Sequence, residues 1–406
     1  MTRPHMPARG RRAAVAVTAL AALVLAGCTS GDGTTQAAGD APAPSEAAET
    51  TPAAPDASIS TNVADLTGPV PVDEVLEVTA VDGSLERVLV NGGGESLAGE
   101  LADDGSSWVA TDRLEPGLRY RVRAVAVGED GRRTSERSTF STEDLPLERQ
   151  TYPSIAPLEG ETVGVGMPVL VQFDVPVKDR ASIERHLSVR STPKQAGAWH
   201  WVSNQEVRWR PKSYWKPGTQ VTVDADINSV SAGNGVYGQL SRAVTFEIGD
   251  AVVSKVDVSK HRMRVFVNGS LARTMPISAG KPGFITRSGT KVIIEKVRDK
   301  VMDAATLGIP QGDPEYYRLD VEYAMRVTYS GEFLHAAPWS AGSQGVANVS
   351  HGCVGMTTDN AAWLFGITKR GDVVEVSGSD RQMTLYNGYG DWNASFKEYA
   401  EGSALS

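Results

Sequence analysis

Between residues 67 and 144 apolar side chains recur at every second position in short runs, 75–81, 87–90 and 120–127, the last closed by Gly128-Glu-Asp-Gly131. Alternation with a period of two puts one side of a strand in a core and the other in water. Strands at this spacing predict a sandwich of immunoglobulin-like size. The pattern repeats from 152 to 248, where 169–173, 206–210, 220–223 and 243–248 alternate between turns such as Lys216-Pro-Gly218. A second sandwich is expected there. Trp199, Trp201, Trp209 and Trp215 cluster in it; aromatics at alternating strand positions fill a sandwich core, and a sugar-binding platform is the alternative use. Beyond Asp250, the runs 252–258, 262–267 and 271–277 flank Asn268-Gly269, a pair that tolerates the positive φ angles of a type I′ hairpin turn. With further strands expected at 290–297, 324–329 and 373–376, the third region is β-rich as well. Its one clear helix begins near Thr358-Asp359, whose side-chain oxygens can cap free N–H groups, and runs through Ala361, Ala362, Trp363 and Leu364.

The N-terminal part departs from this pattern. Arg9, Arg11 and Arg12 precede an apolar run at 13–25, shorter than the roughly 20 residues that span a hydrocarbon core, so it reads as a signal peptide. The run ends Leu25-Ala26-Gly27-Cys28, which resembles the bacterial lipobox, with Cys28 as the lipid acceptor. Arg11-Arg12 alone is weak evidence for twin-arginine export. From residue 29 to 65 the chain is Ala, Pro, Thr, Ser and Gly with six acids and no Lys or Arg. Such a stretch cannot bury enough apolar surface to offset its ordering entropy and reads as an extended tether. The expected location is the extracellular face of the cell membrane, lipid-anchored and facing the wall.

The formal charge of −9 argues against nucleic acid as the main partner, since phosphate binding needs basic residues in excess. Only two cysteines occur, Cys28 and Cys353, which excludes a disulfide-stapled scaffold. His335 ends a β-like run, Gly331-Glu-Phe-Leu-His335, and Cys353 sits in Ser350-His351-Gly352-Cys353-Val354-Gly355, just before the expected helix. A thiol is a poor nucleophile until a histidine or a helix N-terminus stabilises its thiolate, so this pairing points to a cysteine nucleophile. Gly352 permits an unusual backbone conformation, and amides near Cys353 can face an oxyanion. A buried inert cysteine is the plain alternative. Zinc is another, through Cys353, His351 and His335, though the spacing is not that of a structural site and no fourth ligand is evident.

The Ser350-His351-Gly352-Cys353 segment with its upstream His335 resembles the L,D-transpeptidase catalytic (YkuD-type) family. The runs Tyr329-Ser-Gly-Glu-Phe-Leu-His-Ala-Ala-Pro-Trp-Ser340 and Lys369-Arg-Gly-Asp-Val-Val-Glu-Val376 fit it too. Gly197-Ala-Trp-His-Trp201 and Arg210-Pro-Lys-Ser-Tyr-Trp215 resemble the paired immunoglobulin-like domains of actinobacterial members. The fold expected is therefore mainly β: a signal peptide at 1–27, a tether at 28–66, immunoglobulin-like modules at 67–147 and 148–250, an L,D-transpeptidase catalytic domain at 251–377 and a short C-terminal extension at 378–406.

The resemblance implies 3→3 cross-linking of peptidoglycan stem peptides, without a cofactor and with carbapenems as inhibitors. By motif, Cys353 is the nucleophile on a tetrapeptide donor that releases D-alanine, and His335 is the base, oriented by the carbonyl of Ala336. Ser350, His351 and Gly352 shape the loop and the oxyanion site. The stretch 298–323 looks like the family's lid. Tyr317, Ser330 and Gly331 match substrate contacts, and Met302 and Tyr316 give either substrate contacts or core packing. Two departures stand out. Gly355 occupies a position where relatives carry Asn or Arg, and Ser231-Ala-Gly-Asn-Gly235 lacks the carboxylates with which some relatives bind calcium, so no metal is expected. Tyr386, Tyr389, Trp392, Phe396 and Tyr399 are expected to fold back as an apolar clasp. L,D-carboxypeptidase activity, D-amino-acid exchange and an inactive wall-binding lipoprotein are the rival readings.

Overall fold

The computed structural model describes residues 55–63 and 68–406; the expected signal peptide and Cys28 lie outside them. Four-stranded sheets pair face to face in the first module, one of them carrying the long strands Gly83–Gly92, Arg119–Gly128 and Arg133–Ser141. Its core takes the alternate residues Val78, Leu85, Val90, Trp108, Tyr120 and Val122. The other sheet begins earlier than the sequence pattern indicates. Ser58–Thr61, inside the stretch expected as tether, pairs antiparallel with Glu77–Val81. An edge strand is held by ladder hydrogen bonds and one or two inward side chains, here Ala57 and Ile59, so a polar composition does not prevent it.

The second module packs Pro153–Ala156, Val169–Phe173, Glu206–Pro211 and Gly197–Trp201 against Thr162–Val163, Arg242–Ile248, Gln220–Ala225 and Leu187–Thr192. The four tryptophans are buried: Trp209 stacks on Trp215 with ring centroids 5.3 Å apart, and Trp201 on Phe173 at 5.8 Å. They are core, not a sugar platform.

The third region has a five-stranded sheet in the order Ser270–Pro276, Arg262–Val267, Val252–Asp257, Val373–Ser377, Gly289–Val292. Asn268 and Gly269 take φ angles of 49° and 83° and join its first hairpin as the sequence predicts. A second sheet runs Glu295–Asp303, Arg318–Arg326, Phe333–Ala336, Val354–Met356. The stretch expected as a single strand at 290–297 therefore divides between the two sheets. The helix Thr358–Ile367 starts where expected but is capped one residue earlier, by Thr357, whose Oγ1 accepts from the Asn360 amide at 3.3 Å.

The C-terminal extension returns along the second module. Trp392 donates its Nε1–H to Gly166 O at 2.8 Å, Trp201 N–H bonds Gly402 O at 3.0 Å, and the Ala404 amide bonds Glu184 at 2.8 Å. The expected clasp is apolar only at its rim. Its centre is Arg210, whose guanidinium carbon lies 4.4 Å from the Tyr399 ring centroid, 4.8 Å from Trp392 and 5.6 Å from Phe396. Tyr386 stands only at its margin: it is 62% exposed, with its ring centroid 6.5 Å from that of His200.

Beside Arg210, the buried Arg208 donates to Gly388 O at 2.9 Å and to the fully buried Asp391 at 3.2 Å, and it reaches the Tyr329 hydroxyl at 3.4 Å. Removing one member of a buried ion pair leaves the other desolvated and unpaired. Arg208→Ala is accordingly expected to cost roughly 3–5 kcal/mol in urea unfolding. Arg132→Ala, at the surface pair with Asp56, should leave the midpoint unmoved.

Candidate active site

Parallel pairing sets the geometry. Strand Phe333–Ala336 lies beside Val354–Met356 with Leu334 opposite Val354 and His335 opposite Gly355. Side chains alternate along a strand, so His335 and Cys353 emerge on the same face. Both are buried, at 5% and 7% exposure. His335 Nδ1 lies 2.7 Å from the carbonyl oxygen of Ala336. A carbonyl only accepts, so Nδ1 carries the hydrogen and Nε2 presents a free lone pair, the tautomer a proton acceptor needs. Trp339, half exposed, stacks over the imidazole at 5.9 Å.

Cys353 is not at a helix entrance. The strand Val354–Met356 separates it from the helix, which begins at Thr358, so no helix N-terminus faces the sulfur. Its Sγ–H instead donates to Gly331 O at 3.7 Å. Burial pushes the thiol up to about 12, opposed by the Phe333 amide. Burial also holds His335 below its ordinary value, against the Ala336 carbonyl, which favours the charged ring. Both shifts favour the neutral thiol and the neutral imidazole, which suits a base that generates the thiolate during attack.

The supporting residues have distinct tasks. Gly352 has φ 121°, a backbone region disfavoured for side-chain-bearing residues, and its carbonyl accepts from Thr286 Oγ1 at 2.8 Å. Ser350 Oγ accepts from the Gly352 amide at 3.1 Å and donates to Cys353 O at 2.6 Å, closing the turn that carries the cysteine. His351 is engaged elsewhere: its Nε2 meets Glu315 at 2.7 Å, and Lys281 reaches the same carboxylate at 2.5 Å. With its ring so engaged, His351 does not converge with His335 and Cys353 as metal ligands do. Gly355 is explained by space, because a Cβ there would lie 2.8 Å from that of Ala337.

The expected lid is the antiparallel hairpin of Glu295–Asp303 and Arg318–Arg326. It brings Met302 and Tyr317 into one cluster with Phe333 and Cys353, and burial raises the Tyr317 phenol to about 12. Tyr316 lines neither cleft. The smaller cleft, about 190 Å³, holds Cys353, His335 and Trp339; the larger, about 600 Å³, opens on the side of Ser330 and Gly331. Met302, Tyr317 and His351 border both and form the partition. Ser330 is fixed from the C-terminal extension, where Asn387 accepts from its amide at 3.0 Å and donates to its Oγ at 2.9 Å.

Sequence reasoning missed Glu315, Asn387 and a buried ionic group under the loop. Glu332 is 4% exposed and bonds Lys291, itself 1% exposed, and Arg287 at 2.8 Å. Glu332 stands inside the quoted motif run, but nothing in that run marks it as buried, since its partners lie more than forty residues upstream.

Two profiles match the chain: a bacterial Ig domain at residues 67–231 and an L,D-transpeptidase catalytic domain at residues 251–376. L,D-transpeptidase 2 of Mycobacterium tuberculosis is 39% identical over 337 residues, covering 82% of this chain and 82% of its own length. L,D-transpeptidase 1 of the same organism is 40% identical over 248 residues, covering 60% of this chain and 93% of its own. A solved L,D-transpeptidase in complex with imipenem is 41% identical with a TM-score of 0.51, covering 56% of this chain and 99% of that one.

A thiol held high reacts with a neutral alkylating reagent in proportion to its small thiolate fraction. The rate of Cys353 alkylation by iodoacetamide is expected to climb steadily from pH 7 to pH 10. A plateau reached near neutrality would show a resting thiolate instead.

Proposed function

This chain belongs to the L,D-transpeptidase family, and we propose on that premise that it forms 3→3 cross-links through a thioester at Cys353. The observation that carries the reading is the shared face of His335 and Cys353, with the histidine held in its base tautomer by Ala336 O. Because the resting pair is neutral, the thiol gives up its proton as it attacks. His335 Nε2 takes the proton from Sγ while sulfur adds to the carbonyl of the third residue of a donor stem. Of the two amides near the sulfur, that of Gly352 is engaged by Ser350 Oγ, so the Cys353 N–H is assigned to the oxyanion. Collapse breaks the bond to D-alanine, whose amine leaves with the proton from Nε2. The side-chain amine of a second stem then attacks the thioester, His335 takes the amine's proton and returns it to the sulfur, and the cross-link is released.

The wall is reached from outside the membrane in this reading, with Cys28 lipidated and the acidic segment after it as spacer. Carbapenems, one of which occupies the related solved structure, acylate the same thiol here.

Cys353→Ala protein incubated with disaccharide-tetrapeptides should yield no 3→3 dimer and no carbapenem adduct by intact mass. Dimers formed by that variant would defeat the proposal, and products carrying water in place of the acceptor would assign a carboxypeptidase. His335→Ala should slow acylation by about 100-fold or more. With the His335 pKa lowered, its base form persists into mildly acidic solution, so the wild-type acylation rate should stay flat from pH 8 to about 6.5 and fall only below that. Palmitate labelling and detergent partitioning should be lost in Cys28→Ser.

A further inference from the structure

The outer face of the long-stranded sheet in the first module carries six arginines. Along Arg119–Gly128 the buried Tyr120, Val122 and Ala124 alternate with the exposed Arg119, Arg121 and Arg123, and the pleat turns these three outward together. Register adds the neighbours on that face. On one flank Arg87 lies beside Val125 and Leu89 beside Arg123; on the other Arg137 lies beside Arg123 and Arg133 beside Val127. Among the described residues, Arg133 alone of the six forms an ion pair, with Glu86 at 2.7 Å, while Arg119 donates to Thr139 Oγ1 at 3.4 Å. Arg123 and Arg137 are direct cross-strand partners, and like charges so opposed destabilise a sheet. The array also runs against the charge of the whole chain, which is −9.

We propose that this face docks on a membrane surface rich in anionic lipid. The arginines come from three adjacent strands, spaced about 4.8 Å apart, with about 7 Å between successive outward positions on each, so they form a plane and not a single row. A linear polyanion engages one row; a bilayer presents headgroup phosphates over an area and meets them all. Each guanidinium is a planar fork that matches phosphate oxygens, and it sheds water more readily than an ammonium does. The inference rests on the lipidation reading above for its setting, because this module follows the acidic segment and Cys28 directly in the sequence. A lipid on Cys28 holds the module near the bilayer; the arginine face decides which side of it is turned there.

The test uses the chain from residue 28 onward, carrying Cys28→Ser so that no acyl chain contributes. It is sedimented with vesicles of phosphatidylcholine alone or of equal parts phosphatidylcholine and phosphatidylglycerol, at about 0.1 M salt. Binding to the anionic vesicles alone is expected, and it should disappear at about 0.5 M salt. One basic residue near such a surface is worth about fivefold in partition, so Arg121→Gln, Arg123→Gln and Arg137→Gln together should lower the partition coefficient about 100-fold. Their unfolding midpoint should stay level or rise as the opposed pair is relieved. Lys194→Gln, Lys212→Gln and Arg262→Gln together, an equal change of charge at exposed positions elsewhere, should bind as the parent chain does. Equal binding to both vesicles, or equal losses from the two triple variants, overturns the docking face. Binding of inorganic polyphosphate without binding of vesicles overturns it as well and assigns a linear polyanion. Absence of palmitate on Cys28 in the unaltered protein removes only the anchor, since the vesicle assay contains no acylated chain.

Discussion

A carboxylate withdrawn from water is tolerated only when both its oxygens are answered, and the geometry of the active loop hangs on one such group. Glu332 lies between Gly331, whose carbonyl meets the sulfur, and Phe333, which opens the strand carrying His335. Lys291 answers one oxygen; the Arg287 guanidinium and backbone amide answer the other. Its Cγ lies beneath Gly352, 3.6 Å from where a Cβ would stand. The nucleophile's turn, the base's strand and the floor of the larger cleft therefore share one anchor.

The same economy appears at the edge of the second module. Arg208 and Arg210 stand on a strand of the tryptophan-rich sheet, and their polar ends serve the C-terminal extension and Tyr329 as well as Glu206 and Pro211 of their own strand. Through Asn387 and Ser330 that extension then fixes the loop ahead of Gly331. Sandwich, extension and active loop are thus tied by hydrogen bonds to carbonyls and carboxylates whose positions are set by packing. Single contacts of this sort contribute modestly, but in a buried network the loss of one strands the others.

Much of this was legible in the chain itself. Alternation located both sandwiches, Asn268-Gly269 its hairpin, and the scarcity of cysteine together with the His335 to Cys353 run located the chemistry. What was not legible shares a physical cause. The edge strand at Ser58–Thr61 depends on backbone pairing, which composition does not report. The cap at Thr357 differs from the expected one by a residue, within the slack that any run of short polar side chains allows. Glu332 and Arg210 are polar positions whose burial is decided by partners from remote segments, and a period-two pattern records only what is apolar. The neutral state of Cys353 was missed for the same reason: a motif names the sulfur, while its environment is assembled by Gly331, Phe333 and Lys291.

The return of the last residues onto the second module has a temporal side. Gly402, Ser403 and Ala404 supply hydrogen bonds to Trp201 and to the buried Glu184, while Tyr399 lies against His200 at 4.8 Å. A ribosome delivers the N-terminus first, and domains ordinarily fold in that order. Here a module whose strands begin near residue 150 lacks some of its partners until residues 399–404 have emerged. The first sandwich can settle early, whereas the second module gains the hydrogen bonds of residues 402–404 only when they arrive, so a chain truncated before them would leave that module open.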